Sequence, residues 1–275
     1  MRTHASHRPI ARAGGDSRRV TSDRGKQGGS CCAMKILNIG CGTVTSADPR
    51  VVNLDWSIYL VIKSHPLLQR LSRAFLSDER RRRLEALPDS IVVHDLRKGI
   101  PFADGSVDAV YHSHFLEHLD RRSARAFLLE VKRVLKPGGV QRIAVPDLER
   151  LCASYLAHLQ DCLADPSGSG AHDEYVSAII EQLVRREASG TSQQSPWRRT
   201  LERLVLGDAR TRGETHQWMY DRVSLPQLLQ DTGYREVSIE RYDTSRIVDW
   251  NALGLDRNGG QREYKPESLY VEAVR

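Results

Sequence analysis

The chain has 275 residues, 40% of them hydrophobic, enough to bury a sizeable core in one large domain or in a domain with an insertion. Its formal charge of +6 is concentrated at one end: the first 35 residues hold eight basic against two acidic side chains, which leaves the rest near neutral and argues against a uniformly basic nucleic-acid surface. No run of about 18 apolar residues exists to span a membrane, and five cysteines, odd in number and without a C-x-x-C pair, fit a reducing, cytoplasmic setting better than a disulfide framework.

Residues 1–33 are rich in Arg, Ser and Gly and lack periodic apolar positions, so a disordered basic tail is expected there. Met34, immediately before the first strand, is a plausible natural start of translation. Lys35 to Ile39 is a short apolar run that ends in Gly40-Cys41-Gly42, and Val51 to Leu54 is a second that ends in Asp55. Two strands with an acid at the second tip suit an open parallel sheet, where ligands sit at the carboxyl ends of the strands and a carboxylate can accept from ribose hydroxyls. The spacing alone leaves a plain turn equally open, because Val44 and Thr45 stand where a third glycine of G-x-G-x-x-G would be. The interval between Gly42 and Asp55 is too short for a full crossover helix, so one of a turn or two, or none, is expected.

Trp56 to Leu87 reads as helical with a break at Pro66, and its Arg80–Arg83 run reads as a solvated face. Ser90 to His94 is a third strand closing on Asp95, and Val107 to Tyr111 a fourth that runs into His112-Ser-His-Phe-Leu-Glu-His118. Asp120 suits the N-cap of a helix whose apolar face is Ala124, Phe127, Leu128, Val131, Val134 and Leu135, stopped by Lys136-Pro-Gly-Gly139. Val140 to Val145 is the fifth strand, after which Asp147 can cap a helix with the face Leu148, Leu151, Cys152, Tyr155, Leu156 and Leu159. Asp165 to Gly170 reads as a flexible joint, followed by amphipathic pieces at Tyr175–Val184 and Trp197–Leu206. A helix through Leu225, Leu228 and Leu229, a sixth strand around Val237 and Ile239, and a seventh at Leu269–Ala273 complete the chain. With no helix between the last two, the seventh is expected to pair antiparallel.

The alternation predicts an α/β fold, a doubly wound, mostly parallel seven-stranded Rossmann-like sheet. Its parts are a core at 34–163, a helical insertion or lid at 164–222 and the remainder of the sheet at 223–275. LNIGCG at 37–42, the block at 87–119 and VKRVLKPGGVQRIAVPDLERL at 131–151 together resemble the class I S-adenosylmethionine-dependent methyltransferases, and within them the type 11 group. The ending, His216 to Asp221 through Lys265 to Tyr270, resembles a branch of predicted methyltransferases associated with surface-polysaccharide genes.

The resemblance implies S-adenosylmethionine as cofactor and a small-molecule or saccharide acceptor, with no nucleic acid as partner. It assigns Asn38, Gly40, Cys41, Gly42, Asp55, Asp95, Leu96, His112 and Ser113 to the cofactor site. Asp55 would take the ribose hydroxyls, Asp95 and Leu96 the adenine, and His112 and Ser113 the border between methyl donor and acceptor. A sugar hydroxyl needs a base, for which His118 is the first candidate and His114, Glu117 and His216 the others. Each could equally be a capping or core-lining residue. The His112, His114, His118 cluster with His94 nearby invites a metal, but no known ligand spacing such as H-E-x-x-H supports one. Trp218 and Tyr220 could form an aromatic platform or pack in the core. Two rival functions stand beside this one: a non-catalytic interaction protein on the same fold, and a nicotinamide-dinucleotide oxidoreductase, which the missing third glycine disfavours.

Overall fold

The computed structural model describes residues 34–65, 70, 82, 85, 88–182, 215–259 and 261–275. The expected basic tail, nearly all of the helical stretch beyond Pro66 and the Trp197–Leu206 piece lie outside the described residues. Seven strands form one sheet: β1 Ile36–Ile39, β2 Val51–Asp55, β3 Val92–Val93, β4 Val107–Ser113, β5 Leu135–Pro146, β6 Arg235–Glu240 and β7 Ser268–Val274. Their order is β3-β2-β1-β4-β5-β7-β6. The first five run parallel, while β7 slots between β5 and β6 and is antiparallel to both. This is the expected Rossmann-like sheet with its reversed last strand.

Helix α1 (Ile58–Ser64) starts at Ser57, whose hydroxyl accepts from the Leu60 amide. It ends at His65, held in extended backbone as the residue before a proline must be. Helix α2 (Arg121–Val134) opens on Asp120, whose carboxylate accepts from the Arg122 and Ser123 amides, and it buries Ala124, Phe127, Leu128, Val131 and Val134 against the sheet. Those side chains join Leu37, Ile39, Leu54, Val110 and Ile143 in the main core. The helix runs straight into β5, because Leu135 already pairs with Val107 and the Lys136–Gly139 turn is absorbed as an irregularity of the ladder. β3 is shorter than its apolar run suggested, an edge strand with both valines exposed.

Helix α3 (Leu148–Ala164) departs from its expected face. Leu151 is its one fully buried residue, whereas Cys152, Leu156 and Leu163 are exposed. The helix leaves the sheet and packs on the 3-10 turn Pro166–Ala171 and on α4 (His172–Gln182). The Asp165–Gly170 stretch is therefore ordered helix, with Asp165 accepting from the Ser167 amide. Helices α5 (Ser224–Asp231) and α6 (Trp250–Leu253) complete the set among the described residues, and none of these helices is long and apolar enough to cross a membrane.

The opposite face of the sheet is pinned by a charged group in its interior. Arg142 of β5 is wholly buried, with Nε on Asp256 at 2.8 Å and Nη1 on Glu272 of β7 at 2.8 Å. Its remaining donors reach the Thr244 and Arg241 carbonyls, and the Trp250 ring lies 4.6 Å from the guanidinium. The Tyr111 hydroxyl donates to the other oxygen of Asp256. Every charge here has partners, so one residue ties β4, β5, β7 and the segment 241–256 together. Removing it strands two buried carboxylates. Arg142→Met should cost about 3–5 kcal/mol in urea unfolding; a loss under about 1 kcal/mol would mean the network is not what holds this face.

Candidate functional site

Gly40 and Gly42 turn the chain at the tip of β1 in the left-handed region, at φ +64° and +53°. A side chain at Gly40 would also place its Cβ 2.5 Å from the Phe115 ring, so only glycine fits. At Gly42 the same atom would meet nothing within 4 Å, because that side of the turn faces open space. Asp55 at the tip of β2 reaches across to this turn. Its Oδ2 accepts from the Gly42 amide at 2.7 Å and its Oδ1 from the Trp56 amide at 2.6 Å, which leaves lone pairs on both oxygens. Burial raises the Asp55 pKa, and the two amides oppose that rise. Cys41 is buried and its thiol is pushed up to about 12 by burial and by the Asp55 charge, so it stays protonated.

No helix joins β1 to β2. The loop is instead held from beneath by two asparagines in register, Asn38 and Asn53. Asn38 Nδ2 donates to the Val44 carbonyl and to Asn53 Oδ1, while Asn53 bonds the amide and the carbonyl of Ser46. Asn38 is 1% exposed and spent on this loop, so it supports the turn from below and does not reach a ligand, contrary to the expectation from its place in the glycine motif.

His112 also departs from expectation. It is wholly buried, edge-on to Phe115 and Phe127, with Nε2 3.0 Å from Gln141 Nε2, and burial drives its pKa to about 3. The odd-even alternation of β4 turns it into the core and leaves its neighbour Ser113 half-buried at the strand tip. Asp95 and Leu96 lie just past β3. Asp95 caps a 3-10 turn and is paired to Arg97, whose hydrogen bond lowers its pKa. The Arg97 guanidinium covers the Trp56 ring at 4.9 Å, an aromatic beside Asp55 that motif reading passed over because a lone Trp after a strand carries no pattern.

The four candidate bases do come together. His114 sits at φ +49°, a strained position for a non-glycine residue, and Glu117 and His118 follow in a 3-10 turn, Leu116–His118. The segment 215–218 is laced over them: the Gln217 and Trp218 amides donate to the Glu117 carbonyl, and the His118 and His216 rings meet edge-to-face at 4.7 Å. Glu117 is 0% exposed, and its Oε1 lies 3.5 Å from His114 Nδ1 and 4.0 Å from His118 Nε2. Burial pushes Glu117 up to about 8 and holds His114 down at about 3 and His118 at about 4. Lys265, shifted down by burial and partly restored by Glu117, and Ser268, bonded to His114 Nε2 at 2.8 Å, border the cluster from the entry to β7. Both fall in the Lys265–Tyr270 ending noted in the sequence, but nothing in local spacing tied that far end of the chain to the histidines.

His94 bonds the Gly99 carbonyl and His112 is buried, so the set of histidines suspected of holding a metal is not the set that converges. A ligand atom from each of Glu117, His118 and His216 lies within 4.8 Å of the others. Tyr220 is packed in the core, its hydroxyl without a hydrogen bond among the described residues, while Trp218 is half-exposed under the Arg121 guanidinium. A cleft of about 560 Å³ opens beside Ser268, lined in part by Asp147, Arg150, Arg222, Arg241 and Glu263.

Residues 37–143 match the methyltransferase domain family. The O-methyltransferase rstn1 of Aspergillus nomiae is 30% identical over 130 residues, 47% of this chain and 53% of the relative. An uncharacterised methyltransferase of Schizosaccharomyces pombe is 32% identical over 120 residues, 43% of this chain and 42% of the relative. The O-methyltransferase resE of Aspergillus sclerotiorum is 24% identical over 229 residues, 81% of each chain. The chain thus spans about half the length of the first two relatives.

Because the loop between β1 and β2 rests on asparagine side chains, Asn53→Ala should destabilise the protein by about 2–4 kcal/mol, about 1 kcal/mol for each of its three bonds. Urea unfolding reads this directly, and a change under about 0.5 kcal/mol would show that the loop is held otherwise.

Proposed function

We propose, from the premise that residues 37–143 are a methyltransferase domain of the class I S-adenosylmethionine-dependent kind, that the chain transfers a methyl group to a hydroxyl of a small-molecule or saccharide acceptor. The observation that carries this reading is the Asp55 carboxylate, turned onto the Gly42 amide beside open space at the strand tips, with the His114–Glu117–His118–His216 cluster just past the tip of β4. The O-methyltransferase relatives support a hydroxyl as the acceptor.

S-adenosylmethionine, when bound, supplies a methyl carbon activated by a sulfonium. Asp55 accepts from the ribose hydroxyls with the lone pairs its two amide bonds leave over, and Gly42 lets the backbone approach. Asp95 and Leu96, just past β3, would border the adenine, and Ser113, at the tip of β4, would border the methyl donor. The cofactor would supply the methyl carbon to an acceptor oxygen and would keep the electrons of the broken C–S bond on sulfur, with this chain's residues holding the two in line. The hydroxyl proton leaves to the cluster beyond β4. No covalent enzyme intermediate is needed, so alignment and water exclusion contribute most of the acceleration, and the segment 215–218 is placed to exclude water. The cleft beside Ser268 is the route we assign to the acceptor. We infer a cytoplasmic setting, where Cys41, Cys152 and Cys162 remain free thiols.

Calorimetric titration with S-adenosylmethionine, followed by turnover on a panel of hydroxylated acceptors, tests the reading. Asp55→Ala should weaken cofactor binding at least about tenfold, the loss of hydrogen bonds to a charged group. His118→Ala should leave cofactor affinity unchanged and lower turnover by about 10²–10⁴-fold. Preference for a nicotinamide dinucleotide, or cofactor affinity indifferent to Asp55→Ala, would refute the assignment.

A further inference from the structure

Glu117 poses a problem of charge that the methyl-transfer reading does not resolve. It is wholly buried, and neither of its carboxylate oxygens accepts a hydrogen bond among the described residues. A carboxylate out of water and without a donor is costly unless something positive faces it, and the Lys265 ammonium that acts on it is itself pushed toward the neutral form by burial.

Two hydrogen bonds fix which nitrogen of each neighbouring imidazole carries the proton. The Thr215 carbonyl can only accept, so His118 Nδ1 donates to it at 3.2 Å and Nε2 is left with its lone pair. The Ser268 hydroxyl donates to the Lys265 carbonyl at 2.8 Å. Its oxygen therefore accepts from His114 Nε2 at 2.8 Å, and His114 Nδ1 is left with its lone pair. Those two bare nitrogens are the atoms that lie 4.0 Å and 3.5 Å from Glu117 Oε1. His216 brings a further ring nitrogen within 4.8 Å of Glu117 and His118. Two bare nitrogens thus face one carboxylate oxygen of Glu117, with the His216 ring beside them. A proton on Glu117 could satisfy one of them at a time, whereas a cation satisfies all together.

We propose that Glu117, His118 and His216, with His114 as a fourth ligand, bind a divalent transition-metal ion. Three imidazoles and one carboxylate are the donor set of zinc and its late first-row neighbours, and a ligand imidazole whose other nitrogen is tied to a carbonyl or a hydroxyl is the usual outer arrangement of such a site. Metal–ligand bonds of about 2.1 Å place tetrahedral ligand atoms about 3.4 Å apart, so the Glu117, His118 and His216 atoms, now within 4.8 Å of one another, close on an ion by side-chain movements of under about 1 Å each, and His114 has farther to turn. Binding itself does not depend on the methyl-transfer reading. The ion's use does rest on it: four protein ligands close the site, so the metal would fix the 114–118 turn and His216 beside the acceptor without coordinating its hydroxyl.

The test is Co²⁺ binding to the full chain stripped with a chelator, read by the visible absorption of the bound ion and by displacement with Zn²⁺. It is run in a Cys162→Ala, His172→Ala background, because His158, Cys162 and His172 also bring ligand atoms within 4.8 Å of one another. One Co²⁺ per chain is expected. His118→Ala should weaken it more than about 100-fold, and Ser268→Ala, which frees the tautomer of His114, about 10–100-fold. Glu117→Gln keeps the shape of a protonated acid and so separates the two explanations: the proposal requires a loss of at least about tenfold, corresponding to the removal of one charged ligand. If His118→Ala does not fold, Ser268→Ala and Glu117→Gln carry the test. Folded background protein that binds neither Co²⁺ nor Zn²⁺ at micromolar concentration, or that binds them as well after Glu117→Gln, would overturn the site.

Discussion

The hydrogen bond from the Gly42 amide to the Asp55 carboxylate joins the tips of two parallel strands that have no helix between them. Parallel neighbours need a crossover, and a helix is the usual means of making one. Here a short loop crosses over, held from below by Asn38 and Asn53 and from its free end by Asp55. Those contacts set the position of the glycine turn, and the turn in turn opens the space at the strand ends in which a nucleoside can lie. The Phe115 ring seated on Gly40 links this turn to the loop after β4, so the two halves of the candidate site share one contact.

Burial of charge is handled in opposite ways on the two sides of the sheet. Arg142 is buried with carboxylates and carbonyls on its donors, and its network fixes the register of β5 against β7. Glu117 is buried with imidazole nitrogens and Lys265 for neighbours and no hydrogen bond to either carboxylate oxygen among the described residues. A satisfied network rigidifies a fold, and an unsatisfied one marks where the molecule keeps bonding capacity for something else. The strained backbone at His114, which opens the turn that carries Glu117, lies at the same spot. Both features fall at the carboxyl ends of the strands, the side on which open α/β sheets bind ligands.

The strands and their directions were legible because apolar runs bounded by Gly, Pro and Asp recur in step with amphipathic helices; the reversal of β7 was expected from the lack of a helix pattern before it, although the four-residue α6 does lie between β6 and β7. Asp55 beside the glycine turn was legible for the same reason: adjacent motif positions become adjacent strand tips. Asn38 and His112 were misplaced because a motif position says nothing of which side of the pleat a side chain faces. The exposed face of α3 misled because periodicity shows that a face is apolar and not what it meets, which here is α4 in place of the sheet. Lys265, Ser268 and Thr215 escaped notice because long-range contacts bring them to the histidines from distant parts of the chain, and no local spacing records that.

The central claim is that a nucleoside lies across the strand tips with its sugar on Asp55, and the crystal structure of the complex with S-adenosylhomocysteine addresses it most directly. Both ribose hydroxyls should lie within about 3 Å of the Asp55 carboxylate oxygens, with the sulfur directed toward Ser113 and the histidine cluster. A nucleoside bound elsewhere, or a ribose that leaves Asp55 bonded to the Gly42 and Trp56 amides alone, would contradict it.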